Sequence, residues 1–565
     1  MDGGTPFHPA RSDGSGRPAI SYSPEDPVSR GEEAVPLLER AGPWSAFPEW
    51  AADSNLPDIL SDYLPCCRWF GDKSRKIAAV AIESILPLQE AVEPEENTVY
   101  LCILSVGFSE GPPRRYLLPL GQGKVGEGGP AGPIARVPEG RTGPGYVTDG
   151  LFLPRSGRKL LSLFDGGRPD PAGLKVLRTP LLPGLLENCP PDSDVRVFGG
   201  EQSNTSLLFD KCLILKCFRT LGTGTNPDLE VGAFLSEAVP PAPIPPTGGA
   251  ITGFTPEGRS LTLAMLQGLV ENDGDGWRFM LERLGEIARS RNFSREGPVS
   301  LRLDRMIDRL GRRTAELHQA LGRDPRHPDF APVPLSADDL DQLVLSVEGR
   351  HLRVDRMLRE ASRQVPPQIR GWIDRFAGWS GKVGETLASC RRVSDGGSRI
   401  RCHGDFHLAQ LLVTPGDDVV FLDFEGEPAL PIEERREKAS PFLDVAGMLR
   451  SLHYLVVSSM PGEPDPEWEG WLATWLDRQA GRYLQAYLER MEAGPAALLP
   501  GKKDADALLT LYLIRKALYE IEYEFNNRPG WVWIPLAGLE ALVLPAGLPG
   551  TGAGERPPIG SGPAK

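Results

Sequence analysis

At 565 residues the chain exceeds the ~250–300 residues that one hydrophobic core organises, so two or three structural units with tails are expected. Its 62 basic and 76 acidic residues leave a formal net charge of -14, which argues against nucleic acid or an anionic membrane surface as the main partner and favours a small substrate. The N-terminal stretch lacks the basic start and apolar block of a signal peptide, and no apolar run reaches the ~18 residues of a membrane-spanning helix, so a soluble cytoplasmic protein is expected.

Glycine and proline (64 and 56 residues) gather at both ends and between blocks. Residues 1–45 are expected to be a disordered leader, and the Gly-, Pro- and Ala-rich residues 546–565 a disordered tail. Residues 46–190 predict a small α+β unit. It has a helical stretch, then Arg68-Trp69-Phe70-Gly71-Asp72-Lys73, then strand-like runs such as Tyr100-Leu101-Cys102-Ile103-Leu104, with a Gly-rich loop over 121–150. Gly121-Gln122-Gly123-Lys124-Val125-Gly126 matches GxGxxG, but it runs into Gly-Gly-Pro instead of opening a helix, so no dinucleotide or phosphate loop is expected there. Nor does any GxxxxGK[ST] occur, which argues against a P-loop enzyme.

Residues 191–276 carry strand-like Leu207-Leu208-Phe209 and Leu213-Ile214-Leu215-Lys216, a helix from Pro227 to Leu235, and strand-like Leu261 to Leu266, which predict a small sheet with a helix across it. Residues 277–545 read as helical almost throughout, interrupted by short strands over 399–424. The eight cysteines show no CxxC spacing and several sit in apolar stretches, the pattern of small core residues in a reducing interior without structural zinc.

The chemistry concentrates in His403-Gly404-Asp405-Phe406-His407-Leu408-Ala409-Gln410 and in Asp423, delivered by the β-like run Val419 to Leu422. Phosphoryl transfer asks the protein for a carboxylate to orient the attacking hydroxyl and take its proton, and for hard oxygen ligands to magnesium. Asp405 suits the first task, Gln410 and Asp423 the second. Taken singly, these residues read equally well as a turn cap and a strand end; it is the constellation that points to chemistry. A glycosidase pair formed by Asp405 and Asp423 would leave the flanking His and Gln unexplained.

The segment resembles the catalytic loop of the aminoglycoside phosphotransferase-like kinases, relatives of the protein kinases, whose loop ends in a metal-binding Asn where this chain has Gln410. That departure, with Asp423-Phe424-Glu425-Gly426-Glu427-Pro428, is similar to the maltokinase branch, which makes maltose 1-phosphate from maltose and ATP. Glu201-Gln202-Ser203-Asn204-Thr205-Ser206, Leu213 to Lys216, Asn226-Pro227-Asp228-Leu229-Glu230, and Tyr519-Glu520 followed by Asn527-Arg528-Pro529 extend the resemblance over roughly 50–545. It implies a bilobal protein-kinase-like α+β fold: an N-terminal cap subdomain (46–190), a sheet-based N-lobe (191–276) and a helical C-lobe (277–545), with ATP between the lobes and Mg2+ as cofactor. In the cap, Asp72 and Ser74 stand where the resemblance leads one to expect glycines, and Trp69 and Phe70 are expected as core anchors.

Upstream residues then fit nucleotide handling. Lys216 closes a strand where an ammonium reaches the α and β phosphates, and Glu230 on the next helix would hold it by an ion pair. Gly199 and Gly200, before Gln202, Ser203 and Asn204, offer a flexible turn whose amides would cover phosphates. Met265, Leu266 and the residues to Gly268 resemble the inter-lobe hinge that hydrogen-bonds adenine. On the sugar side stand Glu425 and Glu427, with Tyr519, Tyr523 and Arg528 to grip a second ring. His403 is placed with this substrate group, although bracing the loop backbone is its expected work; His318 and His453 are expected to be structural. Asp405 would orient the anomeric hydroxyl of maltose. Other readings are a kinase of another sugar such as glucosamine, an aminoglycoside kinase, or a catalytically silent regulatory partner. No trehalose-isomerising domain is legible, so a partner of that kind is expected to be a separate chain. The oligomeric state stays open.

Overall fold

A computed structural model describes residues 35–39, 42–88, 98–124, 126–140, 143–166, 170, 173–190, 192–199, 203–361, 365–427, 430–460, 465–494 and 497–544. Gln202, the expected leader through residue 34 and the expected tail lie outside the described residues. The chain divides into two units. One comprises 1–178, 188–224 and 250–266; the other comprises 179–187, 225–249 and 267–565.

In the first unit an antiparallel sheet is built from β1 (Ile77–Pro87), β2 (Tyr100–Phe108), β3 (Arg114–Gly123), β4 (Ala135–Gly140) and β5 (Gly143–Asp149), in the order β1-β2-β3-β5-β4. The helix Leu56–Tyr63 buries Leu56, Ile59, Leu60 and Tyr63, the spacing of one helical face. These side chains share a core with Trp44, Phe47, Trp69, Phe70, Tyr100, Cys102, Leu104, Tyr116 and Leu118, so Trp69 and Phe70 are core anchors as expected. Part of the expected leader belongs to this core. Leu38 is buried, its N–H donates to the Arg136 carbonyl at 2.8 Å, and the Trp44 indole donates to the Thr98 carbonyl at 2.7 Å.

The Gly-rich stretch expected as a loop over 121–150 holds strands instead. β3 continues to Gly123 and pairs with β5 from Leu120↔Asp149 to Gly123↔Tyr146. Glycine serves here to let chains approach closely: a Cβ on Gly121 would lie 2.5 Å from Leu153 Cδ1.

The second sheet runs β6 (Lys175–Arg178), β11 (Thr247–Phe254), β12 (Ser260–Gly268), β9 (Leu213–Phe218), β8 (Asn204–Phe209), β7 (Val195–Val197). The short β10 (Thr220–Leu221) leaves that sheet and pairs with β3 through Thr220↔Tyr116. Arg219, fully buried at this switch, donates to Asp149 Oδ2 at 2.5 Å and Thr205 Oγ1 at 2.9 Å, and its guanidinium carbon stands 4.6 Å from the Trp69 ring centre. Asp72 is buried too; it accepts from the Tyr116 hydroxyl and pairs with Arg75 at 3.2 Å and Arg114 at 3.3 Å. A carboxylate where glycine was expected thus closes a charged cluster.

The second unit is helical. On the helix Pro227–Ser236, Val231 and Leu235 are buried in the helical unit's core with Phe279, Leu284 and Ile307, and Phe234 stacks on Phe330 at 3.8 Å between ring centres. The long helices Pro298–Leu321 and Pro466–Glu492 pack so closely that a Cβ on Gly311 would lie 2.5 Å from the Tyr483 carbonyl oxygen. Around Phe442–Ser458 and Lys502–Asn527 the core continues through Val445, Met448, Leu452, Ile514 and Leu518. A two-stranded ribbon, β13 (Leu411–Thr414) with β14 (Asp418–Phe421), carries the loop before it and the turn after it. No helix among the described residues is long and apolar enough to cross a membrane.

Candidate active site

The ribbon brings the two halves of the sequence motif together. Leu411 pairs with Phe421, and the Leu422 N–H donates to the Gln410 carbonyl at 2.9 Å, so the residues flanking the ribbon on each side are neighbours. The Gln410 amide nitrogen donates to Asp423 Oδ2 at 3.2 Å, which leaves the amide oxygen as the atom Gln410 has for a cation. Asp423 has φ 63°, a left-handed conformation that a bulky residue would not hold cheaply. Gly404 has φ 85°, and a Cβ there would sit 3.1 Å from the Gly426 Cα. Only glycine lets the Asp405 loop and the Asp423 turn pass at that distance.

A buried aspartate that the sequence reading overlooked holds this loop from behind. Asp444, on the helix Phe442–Ser458, accepts from the His403 N–H at 2.8 Å and the Gly404 N–H at 3.0 Å, and its Oδ2 lies 3.1 Å from His318 Nε2. His318 Nδ1 in turn lies 2.9 Å from the Tyr487 hydroxyl. Burial works to raise the Asp444 carboxyl, but His318, His403 and the Gly404 amide outweigh it and hold it below the usual carboxylate range. A charged residue inside the apolar run Phe442-Leu443-Asp444-Val445-Ala446 was the available signal.

His403 is 1% exposed, packs its ring against Phe406 and Phe424, and places Nε2 2.7 Å from the Leu422 carbonyl oxygen. The structure therefore takes His403 out of the substrate group; it ties the loop to the strand end, the bracing also expected of it. His318 is structural, as expected. So is His453: burial and then Arg450, 2.9 Å away, push its imidazole down to about 3 and keep it neutral.

Asp405 faces outward from this frame. Its Oδ1 lies 3.6 Å from Lys516 Nζ and its Oδ2 3.6 Å from His407 Nε2, both longer than a hydrogen bond. Burial raises its carboxyl, but His407 and Lys516 prevail and hold it well below the ordinary range. Lys516, on the helix Lys502–Asn527, was not singled out in the sequence; one turn of helix places it beside Tyr519, with Nζ 5.1 Å from that ring's centre. Tyr519 and Tyr523 stack at 6.3 Å, and Tyr523 is 42% exposed. Burial first, then the Glu427 and Asp405 carboxylates, push the Tyr519 hydroxyl up, which puts all three in one neighbourhood. Glu427 is itself raised by burial, with Lys516, Arg350 and Arg515 opposing. Arg528 is held by Glu524 through contacts of 2.9 and 2.6 Å, and lies against Tyr523 and Trp531.

Asp228, Asp423 and Glu425 offer carboxylate oxygens within 4.8 Å of one another. Asp228 Oδ1 accepts from the Phe424 N–H at 2.9 Å, which fixes the helix Pro227–Ser236 to the Asp423 turn. Three carboxylates held that close could hold a divalent cation, and carboxylate and amide oxygens are the donors magnesium prefers. Asp228 is a third residue the sequence reading passed over, because an Asp in the first turn of a helix reads as an ordinary N-terminal charge.

Glu230 does not take the role expected of it. Arg436 approaches its Oε1 at 2.6 Å and Oε2 at 2.9 Å, and Arg401 its Oε2 at 2.8 Å, so both oxygens are engaged by guanidinium groups. Burial works against the charge and the two arginines outweigh it, keeping the carboxyl low. Within the first unit, Lys216 lies on β9 opposite Ser206, 8% exposed, with Nζ 5.4 Å from the Phe218 ring centre. Ser203 is exposed just before β8, Asn204 opens that strand, and Met265 and Leu266 are fully buried on β12, where the first unit ends.

Comparison with known proteins gives the class of this chain. Residues 195–426 match the model of the phosphotransferase enzyme family, from β7 through the Asp423 turn, and residues 63–152 match the maltokinase N-terminal cap domain, which spans the first sheet. The chain is a maltokinase-like protein of the aminoglycoside phosphotransferase fold. Among curated proteins, a glucosamine kinase of Streptacidiphilus jiangxiensis is 26% identical over 360 residues, 61% of this chain and 72% of that one. A glucosamine kinase of Mycolicibacterium smegmatis is 25% identical over 347 residues, 61% of this chain and 78% of its own length. A solved glucosamine kinase in complex with glucosamine, ADP and inorganic phosphate has a TM-score of 0.57 at 22% identity, covering 82% of this chain and 94% of that one, which establishes the shared fold.

Proposed function

We propose that this protein is an ATP-dependent sugar kinase that phosphorylates maltose at its anomeric hydroxyl. The observation that carries the reading is the position of Asp405, ionised and within 3.6 Å of Lys516 and His407 without a closed hydrogen bond to either, on a loop joined to Asp423 through Gln410. An acceptor hydroxyl donates to the Asp405 carboxylate; as its oxygen bonds to the γ-phosphorus and the bond to the ADP oxygen breaks, the proton passes to Asp405. Asp423 and Gln410, with Glu425 and Asp228, are the residues that would hold magnesium, which when bound neutralises phosphate oxygens. Lys216 is assigned to the nucleotide phosphates, Ser203 and Asn204 to the turn that covers them, and Met265 and Leu266 to adenine. Glu427, Tyr519, Tyr523 and Arg528 are assigned to the sugar, while Glu425, expected with them, is assigned to the carboxylate set around Asp423.

The maltokinase-type cap and the Gln410 departure favour maltose; the two curated relatives named above favour glucosamine as a second reading. Incubation with ATP, magnesium and each of maltose, glucose and glucosamine, followed by phosphorus NMR, separates them. A phosphorus signal coupled to the anomeric proton of maltose is the expected product. A phosphate on a non-anomeric carbon, or ATP consumption only with glucosamine, refutes the maltose assignment.

A further inference from the structure

The acceptor side of the site is crowded with fixed positive charge. Lys516 Nζ stands 3.6 Å from Asp405 Oδ1 and 5.1 Å from the Tyr519 ring centre, and the Arg350 guanidinium carbon lies 5.5 Å from that same ring. Glu427, the other carboxylate of this neighbourhood, lies in the field of Lys516, Arg350 and Arg515. Each carboxylate that could receive an acceptor's ammonium group therefore already faces a cation of the protein. A hydroxyl can accept a hydrogen bond from Lys516, whereas an ammonium has no acceptor to offer it and meets like charge at short range.

We propose that Lys516 is a specificity-determining residue that excludes amino sugars and restricts the acceptor to neutral sugars; this rests on the sugar-kinase reading above. Lys516 in effect supplies the ammonium that an amino-sugar acceptor would otherwise bring to Asp405 and Glu427. Arg350, held at 3.3 Å by Glu522, reinforces the same field from the neighbouring helix Ala337–Ala361.

The test compares kcat/KM for maltose, glucose and glucosamine in the wild type, in Lys516→Met, which keeps the apolar stem and removes the charge, and in Lys516→Arg, which keeps the charge. Glucose and glucosamine differ only at the 2-position, so their ratio reads charge. The wild type is expected to prefer glucose over glucosamine by about tenfold or more, a moderate figure for like-charge discrimination. Lys516→Met should bring that ratio down by a similar factor, mainly through the KM for glucosamine, while Lys516→Arg keeps it. A wild type that phosphorylates glucosamine better than glucose overturns this inference and leaves the kinase reading standing, whether or not Lys516→Met folds. An unchanged ratio in a folded Lys516→Met also overturns it. If the wild type phosphorylates none of the three sugars, the kinase reading fails and takes this inference with it.

Discussion

Asp149 in the first unit and Asp405 in the second are both carboxylates set among cations, and their surroundings differ in kind. Asp149 is 1% exposed, its Oδ2 lies 2.5 Å from Arg219, and its Oδ1 accepts from the Leu151 N–H at 3.2 Å. Asp405 keeps about a quarter of its side chain exposed and meets Lys516 and His407 at 3.6 Å each. The first carboxylate has its hydrogen-bonding capacity closed by the fold. The second has an ionised state secured by nearby charge and lone pairs left for a hydroxyl. The difference teaches how to tell a structural charge from a working one: contact distance and access decide it, since both have cationic partners.

That contrast can be broken by substitution. The largest effect is expected for Asp405→Asn, which should cut turnover by about 10²–10⁴-fold, the usual contribution of a general base, with nucleotide-induced stabilisation retained. Near-normal turnover would end the assignment. Arg219→Met should do the converse. Leaving Asp149 buried without its partner costs ~3–5 kcal/mol in denaturant titration, and Arg219→Met with Asp149→Asn together should recover part of that loss.

Asp444 lies between these cases, a buried charge whose hydrogen bonds shape the working loop. Asp444→Asn is expected to lose ~1–3 kcal/mol, because the new amide cannot accept everything the carboxylate accepts. The sign of its pH dependence follows from a depressed folded value. The stability contributed by Asp444 is complete above the ordinary carboxylate value of ~3.9 and drains away as pH falls through its lower folded value. Urea titrations between pH 3 and 7 should therefore show a steeper acid-side loss in the wild type than in Asp444→Asn; parallel curves would mean that Asp444 carries no such linkage. The smallest change in stability belongs to Gly404→Ala, about 1–2 kcal/mol for a left-handed residue, with the 3.1 Å approach to Gly426 displaced. Its turnover should fall more than its stability, and an unaffected turnover would show that the loop tolerates a wider passage.

The legibility of the site followed sequence distance. Asp405, Gln410 and Asp423 sit within one stretch joined by a short ribbon, so their proximity was readable from the motif, and the Gln410 contact to Asp423 agrees with it. Lys516 and Asp228 arrive from helices far away in the chain. As single residues, a Lys on an amphipathic helix and an Asp in a first turn look like solvated surface charge. Glu230 was misread for the same reason: its arginine partners, Arg401 and Arg436, lie some 170 and more positions downstream. The β-rich first unit was the least legible part of the fold. Its Gly121-to-Asp149 stretch has the composition of a loop, and only the packing of Leu153 shows that Gly121 and Gly123 serve close approach.

The sequence by itself determined the two chemistries that local order can encode. These are the helical face of Leu56, Ile59, Leu60 and Tyr63, set by its spacing, and the Asp405, Gln410 and Asp423 set, carried by a loop, a ribbon and a turn. Tertiary structure alone decided which charges became closed pairs and which stayed open. Electrostatic environment depends on distance and burial, and those are settled only when Arg219 is sealed against Asp149 while Lys516 stops 3.6 Å short of Asp405.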